Sequence, residues 1–378
     1  MPSARIIFVS GMLITSWISQ LFGRPLSADE EVMFFQSTAR WVSDATIEVG
    51  VEAWVYEIER RPGVTTAFRH YLKLDPDTLG ADEYAEFRRR VRLFLTDSEG
   101  GKRVPITITT PLVEEPMSLG LPTTPMNGRS SACFIVPAPR DPAAQWIEFE
   151  TAGPGKTFRG RALLMPAEGL SIVSDIDDTI KQTQVLDRRE MLLNTFARPL
   201  RPVPGMAELF QRTEAAVGAT TRFHYVSGGP HQLWPMLDGF LREGGFPEGS
   251  VHLRMIDLHK EVFGEGTSTF SHKLATIGGL MREFPRRRYV LVGDSGEKDP
   301  EVYGEIARQF PALVTAIHIR DVTGEPREAA RYAGAFRDVP PERWSLFTEP
   351  AGLTLAGAAG AGANVTPPGH PTRPPPGG

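Results

Sequence analysis

Over residues 31–165 apolar and polar side chains trade places along short stretches. Ala45-Thr46-Ile47-Glu48-Val49-Gly50-Val51-Glu52-Ala53-Trp54-Val55-Tyr56 alternates over much of its length, as a strand with one wet and one buried face does. Val104-Pro105-Ile106-Thr107-Ile108-Thr109 alternates in part, and Trp146-Ile147-Glu148-Phe149-Glu150 does so again. Turn-rich stretches such as Asp97-Ser98-Glu99-Gly100-Gly101 separate these runs. One helical insert is predicted over residues 81–94, rich in Glu, Arg and apolar residues. Several short strands between turns predict a small β-sandwich.

After Pro166 the rhythm changes. Ser171-Ile172-Val173-Ser174, Phe223-His224-Tyr225-Val226, Tyr289-Val290-Leu291-Val292 and Val314-Thr315-Ala316-Ile317-His318-Ile319 are mostly continuous apolar runs. Helices are predicted between and after them, over 205–217, 233–242 and 300–310, with Trp234, Leu237 and Leu241 on one face. Apolar strands alternating with helices predict an α/β fold, its parallel sheet covered on both sides. Active sites in such sheets lie beyond the carboxyl ends of the strands.

The chain has 378 residues and a formal net charge of -5. No global field favours nucleic acid or an anionic membrane, so an anionic substrate must be held by a local arrangement. The single cysteine, Cys133, cannot form an internal disulfide and fits a reducing compartment such as the cytoplasm. As a lone thiol it is expected in the core. Residues 6–23 are apolar-leaning, but Ser10, Thr15, Ser16, Ser19 and Gln20 interrupt them. This segment reads either as an amphipathic or packed stretch or as a targeting or anchoring signal. From Glu349 the chain turns to Ala, Gly and Pro, a composition that predicts disorder. The expected division is an N-terminal segment (1–30), a β-rich domain (31–165), an α/β domain (166–348) and a disordered tail (349–378).

The chemistry concentrates at strand ends. Asp175, Asp177 and Asp178 put three carboxylates within four residues, directly after an apolar strand. They repel one another unless a cation neutralises them, and a hard, oxygen-rich site suits Mg²⁺. An acidic turn with a helix cap is the plainer reading. Ser227 follows the next strand and is followed by Gly228-Gly229-Pro230; a hydroxyl beside glycine amides can hold phosphoryl oxygens. Asp294 and Asp299 follow the strand at 289–292, and Lys273 opens a predicted helix. That lysine would supply the positive charge a transferring phosphoryl group needs.

The ordered set Asp-x-Asp-x-Thr, Ser, Lys, Gly-Asp-x-x-x-x-Asp resembles the haloacid-dehalogenase-like phosphatase superfamily. Residues 169–183, Asn194-Thr195-Phe196, Pro204-Gly205-Met206, residues 223–227 and Gly293-Asp294-Ser295-Gly296-Glu297-Lys298-Asp299-Pro300-Glu301-Val302-Tyr303 narrow it. They look like the catalytic domain of the actin-patch-type phosphatidate phosphatases, a match covering about residues 166–322. Upstream, the strands around Trp54-Val55-Tyr56 are similar to the family's β-rich region. Gly228-Gly229-Pro230-His231 departs from the family, where a second serine often precedes the proline and an aromatic residue follows it.

The resemblance implies a haloacid-dehalogenase-like sheet with little or no cap, since only residues 181–204 remain for one. It implies Asp175 as nucleophile and Asp177 as proton shuttle. Ser227 and the Gly228 amide would hold phosphoryl oxygens, and Lys273 would offset their charge. It implies Mg²⁺ on Asp175, the Asp177 carbonyl and Asp294, with Asp299 behind them, and it gives Asp178 and Thr179 structural roles. The implied substrate is phosphatidate at a membrane surface, with peripheral attachment. Another phosphomonoester or a phosphoprotein, or a membrane-trafficking scaffold, are the other readings.

Three further features carry less. Gly153-Pro154-Gly155-Lys156-Thr157 lacks the first glycine and the flanking strand and helix of a phosphate-binding loop. His224, His231, His252, His259 and His272 form no zinc spacing with Cys133. Arg286-Arg287-Arg288 reads as a solvated run or as a contact for anionic headgroups.

Overall fold

The computed structural model describes residues 23–58, 79–116, 118–255 and 268–355. The apolar-leaning segment before Gly23 and the tail beyond Leu355 lie outside the described residues. Among the described residues no helix is long and apolar enough to cross a membrane.

The first nine strands are β1 (Glu30–Phe35), β2 (Ser37–Ser43), β3 (Thr46–Glu57), β4 (Asp97–Ser98), β5 (Pro105–Ile108), β6 (Leu119–Gly120), β7 (Arg129–Pro137), β8 (Trp146–Gly153) and β9 (Lys156–Met165). All nine hydrogen-bond into one sheet, in the order β1-β3-β2-β9-β8-β5-β6 with β4 and β7 also on β3, rather than into two separate sheets. Alternation along β3 buries Ile47, Val49, Val51, Ala53 and Val55 against Phe34, Phe134 and Phe149. The same alternation corrects the expectation for Cys133. In β7 it is Phe134 and Val136 that face the core, and Cys133 is exposed. Gly153–Lys156 is the hairpin turn between β8 and β9, and Gly155 takes its left-handed position at φ 70°.

The second sheet has six parallel strands: β10 (Gly169–Ser174), β11 (Arg222–Pro230), β12 (Gly249–Arg254), β13 (Arg287–Asp294), β14 (Val314–Arg320) and β15 (Trp344–Phe347). Their order is β12-β11-β10-β13-β14-β15. Successive residues of a strand feed opposite faces. Ile172, Val290 and Val292 join one apolar core, and Val173, Tyr289 and Leu291 the other. The chain leaves β10 for β11 on one side and later adds β13 on the other, so the strand order reverses at β10. That is where ligands bind in such sheets. Two strands escaped prediction. β12 is an edge strand with polar Ser250, His252 and Arg254, and β15 has only four residues.

Helix α1 (Ala81–Val91) lies where the insert was predicted, but it packs on the α/β part. Phe87, Val91 and Phe94 share a core with Leu192, Leu193 and Phe196. The last three belong to α2 (Arg188–Phe196), the one helix in the 181–204 stretch. Arg90 of α1 donates to the carbonyls of Thr195 and Arg198, each at 2.7 Å. Beyond these lie α3 (Met206–Val217), α4 (Trp234–Glu243), α5 (Thr269–Glu283), α6 (Asp299–Gln309) and α7 (Ala330–Ala335).

One boundary reading and one burial reading change. Pro350 packs over Gly205 and Leu355 is fully buried, so the packed chain runs past residue 348. Arg287, expected in a solvated basic run, is fully buried. Its guanidinium donates to Ser171 Oγ and to the carbonyls of Pro166, Glu168, Leu170 and Thr220. A planar group with five donors can tie strand starts together in this way.

Candidate active site

β10 ends in a buried loop built by its own acidic residues. Asp178 takes a left-handed conformation (φ 53°), and its carboxylate accepts the backbone N–H groups of Thr183, Gln184 and Val185 at 2.6–2.8 Å. Arg320 donates to the Asp178 carbonyl at 2.8 Å. Asp178 thus faces the backbone. Thr179 instead turns inward, donating to Asp175 Oδ2 at 3.1 Å.

Asp175, Asp294 and Asp299 are fully buried, and one oxygen from each lies within 4.8 Å of the others. Lys273, on α5, reaches into this cluster. Its Nζ donates to Asp175 Oδ1 at 2.6 Å, Asp299 Oδ1 at 2.5 Å and Glu297 Oε2 at 3.3 Å. The N–H groups of Gly296 and Glu297 donate to Asp294 Oδ1 at 2.5 and 3.2 Å. Asp294 Oδ2 is buried with no hydrogen-bond partner.

Burial pushes the Asp175 carboxyl well above the carboxylate range; Lys273 pulls the other way, and the neighbouring aspartates add to the rise. Burial and the Asp299 charge raise Asp294 likewise. Burial works against the Lys273 ammonium, but the carboxylates around it outweigh this and hold its pKa well above the lysine range.

Asp177 points elsewhere. Its Oδ1 accepts from Lys181 at 2.7 Å and Thr183 at 2.8 Å, and its Oδ2 accepts from Ser227 at 3.0 Å. Its side chain is 21 % exposed, whereas that of Asp175 is closed off. Burial raises its pKa, and the Lys181 charge with the three donated hydrogen bonds more than reverses this, leaving it below the usual range. Ser227 Oγ accepts the Gly229 N–H at 2.9 Å. Gly228 packs so closely on α5 that an added Cβ would stand 2.4 Å from Thr269 Cγ2.

The sequence-predicted residues therefore meet at the carboxyl ends of β10, β11 and β13, on α5 and at the start of α6. Their contacts sort into two groups, the buried cluster around Lys273 and the half-open pair Asp177–Ser227. Two members escaped the sequence reading. Lys181 sits four residues after Asp177, and Glu297 lies inside the Asp294–Asp299 loop. Both spacings were visible. Arg331, also unforeseen, donates to the carbonyls of Ser295 and Glu297 and holds that loop from outside. Beside the Asp178 loop opens a polar cavity of about 220 Å³ lined by Gln182, Gln184, Asn194, Arg198 and Arg201.

Residues 170–321, which include every residue of this cluster except Arg331, match the family model of the phosphatidate phosphatase APP1 catalytic domain. Phosphatidate phosphatase APP1 of Saccharomyces cerevisiae is 36 % identical over 156 residues, covering 40 % of this chain and 26 % of that protein. An uncharacterized protein of Schizosaccharomyces pombe is 33 % identical over 174 residues, covering 45 % of this chain and 28 % of its own. The matched stretch thus spans about a quarter of the length of these relatives.

Proposed function

We propose that this chain, whose residues 170–321 match the family model of the phosphatidate phosphatase APP1 catalytic domain, is a phosphatase that hydrolyses phosphatidate to diacylglycerol and phosphate. The observation that supports this chemistry is the difference in surroundings between Asp175 and Asp177. Two residues apart, one is locked by Lys273 and Thr179, and the other faces Ser227 at a half-open edge.

The residues fit a divalent cation. Three buried carboxylates crowd together, two have raised pKa values, and Asp294 Oδ2 is without a partner. Asp175, Asp294 and Asp299 would hold Mg²⁺, which would neutralise the cluster and draw charge from phosphoryl oxygens.

In the proposed reaction a carboxylate oxygen of Asp175 attacks phosphorus, and the bond from phosphorus to the diacylglycerol oxygen breaks. The leaving oxygen takes a proton from Asp177. Asp177 then accepts a proton from the water that attacks the aspartyl-phosphate, the bond to Asp175 breaks, and phosphate leaves. Lys181 holds Asp177 as the carboxylate at rest. A phosphoryl group arriving at Ser227 competes for that hydrogen bond and adds a like charge. Both effects raise the pKa of Asp177 toward that of a proton donor.

Phosphate release from phosphatidate vesicles with Mg²⁺, set beside Asp175→Asn, tests this reading. Release by the native chain and none by the variant is expected. Release from soluble phosphomonoesters but not from the lipid would overturn the substrate, and release from neither would overturn the enzyme.

A further inference from the structure

Arg331 stands in α7, beyond the matched residues 170–321, yet it grips the loop that carries Asp294, Glu297 and Asp299. Its NH1 group donates to the Ser295 carbonyl and its NH2 group to the Glu297 carbonyl. The same guanidinium holds Glu301 in the first turn of α6, with Nε 3.0 Å from Oε1 and NH2 3.2 Å from Oε2. A planar group with five donors can bind both loop carbonyls and the carboxylate at once; a compact ammonium cannot.

The two carbonyl bonds act on Asp294 through the backbone. The Ser295 carbonyl and the Gly296 N–H belong to one peptide unit, and in a trans peptide they point opposite ways. The carbonyl faces Arg331, and the N–H faces Asp294 Oδ1 at 2.5 Å. The Glu297 N–H adds a second bond to that oxygen at 3.2 Å. Oδ1 is therefore tied to the backbone, while Oδ2 is buried without a hydrogen-bond partner. Ser295 itself is anchored separately, its Oγ accepting from the Val322 and Thr323 N–H groups at 2.9 and 3.1 Å. Arg331 holds the peptide that follows it. A positive charge on the carbonyl side polarises that peptide and strengthens the bond its N–H makes.

We propose that Arg331 is a positioning residue for metal binding. Acting through the Ser295–Gly296 peptide, it commits Asp294 Oδ1 to the backbone and leaves Oδ2 for a divalent cation. This rests on the reading of Asp175, Asp294 and Asp299 as a cation site. Coulomb's law alone gives the opposite sign. A positive charge beside the site repels a dication, so deleting it would tighten binding. Orientation through the peptide means that deleting it weakens binding, by the roughly tenfold to hundredfold usual when a group behind a metal ligand is lost.

Titration calorimetry with Mg²⁺ alone reads this without turnover. Arg331→Gln removes the charge and the fork, and Arg331→Lys keeps the charge without the fork. Arg308→Gln is the control. The Arg308 side chain is 23 % exposed against 21 % for Arg331. It too ties α6 to the α7 region, donating to the carbonyls of Ala335 and Arg337 at 2.9 and 3.0 Å, but none of these bonds reaches the Asp294–Asp299 loop. Mg²⁺ affinity at least about tenfold weaker is expected in both Arg331 variants, and native affinity in Arg308→Gln. Arg331→Lys serves alone if the glutamine variant fails to fold. Asp294→Asn, measured beside them, separates the two readings. If it abolishes an uptake that Arg331→Lys keeps at native affinity, the role of Arg331 is overturned and the cation site stands. Tighter binding in Arg331→Gln, or an equal loss in Arg308→Gln, overturns that role as well. No uptake by the native chain, or uptake indifferent to Asp294→Asn, overturns the cation site and this inference with it.

Discussion

Lys273 Nζ lies 2.6 Å from Asp175 Oδ1, with 1 % of the lysine side chain exposed and none of the aspartate's. A pair this dry is held by its surroundings as well as by its own attraction, because taking both charges from water is expensive. Lys273 also neutralises part of Asp299 and Glu297. Replacing it by Met leaves three carboxylates facing each other around an apolar chain. Loss of about 3–5 kcal/mol in the metal-free protein is expected, as for other buried pairs broken on one side. Asp175→Asn removes a like charge from the cluster and should cost less. Urea unfolding of both variants decides it. Equal costs would show that the cluster is insensitive to its charge balance.

A divalent cation should reverse the repulsion in that cluster. Mg²⁺ is expected to raise the unfolding temperature, by an amount equivalent to about 2.7 kcal/mol at a hundredfold excess over its dissociation constant. Asp294→Asn deletes a full charge and should remove most of that rise. Asp177→Asn leaves Asp175, Asp294 and Asp299 in place and should keep most of it. Thermal unfolding with and without Mg²⁺ separates the two. If both variants lose the rise equally, the ion is not held by the three clustered carboxylates.

These expectations trace back to residues legible in the sequence, and the gaps have physical causes. Asp175, Ser227 and Asp294 each follow a strand of continuous apolar residues, so parallel strands had to bring them to one edge. The chain reversal at β10 and the seat of Lys273 on α5 could not be read that way, since both depend on which helix packs on which face. Lys181 and Glu297 were passed over because a single Lys or Glu in a polar loop looks solvated. Burial, which period and composition do not give for loops, is what makes them matter. Arg287 shows the converse, a residue of surface type at a strand start that the fold closes over. Cys133 was misplaced because residue type was weighed above the alternation of its own strand.

Gly293 offers a sharper probe of the site's tolerances. An added Cβ there would stand 2.4 Å from Asp299 Oδ2 and 2.7 Å from Tyr303 Cε2. Asp299 has to move, and with it the oxygen that accepts from Lys273. Gly293→Ala should lose about a hundredfold in the proposed phosphatase activity, the scale of a 1 Å misplacement. Gly279→Ala, on α5 with nothing within 4 Å of the new methyl, should leave activity unchanged. Steady-state rates of the two variants settle it. Full activity in Gly293→Ala would mean that Asp299 does not need its observed position.

Acid should destabilise the protein through a histidine outside the buried carboxylate cluster. His224 is fully buried in β11, its ring between Ser171 Oγ at 3.2 Å and Ser250 Oγ at 2.7 Å. Burial, followed by the nearby His252, Arg287 and Arg222, holds its pKa well below 6.5. The unfolded chain therefore takes up this proton first as pH falls. The contribution is complete above the unfolded value of about 6.5 and drains away below it, by about 1.4 kcal/mol per pH unit. Burial also lowers His252 to about 4 and His318 to about 4, which act in the same direction. Asp175 and Asp294 act oppositely, since their raised pKa values favour the folded state in acid. The informative quantity is thus the difference between the native chain and His224→Gln, in which those other contributions cancel. Urea midpoints from pH about 7 down to about 5 should show the cost of the substitution shrinking as the pH drops. A cost that stays constant over that range would mean that His224 keeps its ordinary pKa in the fold.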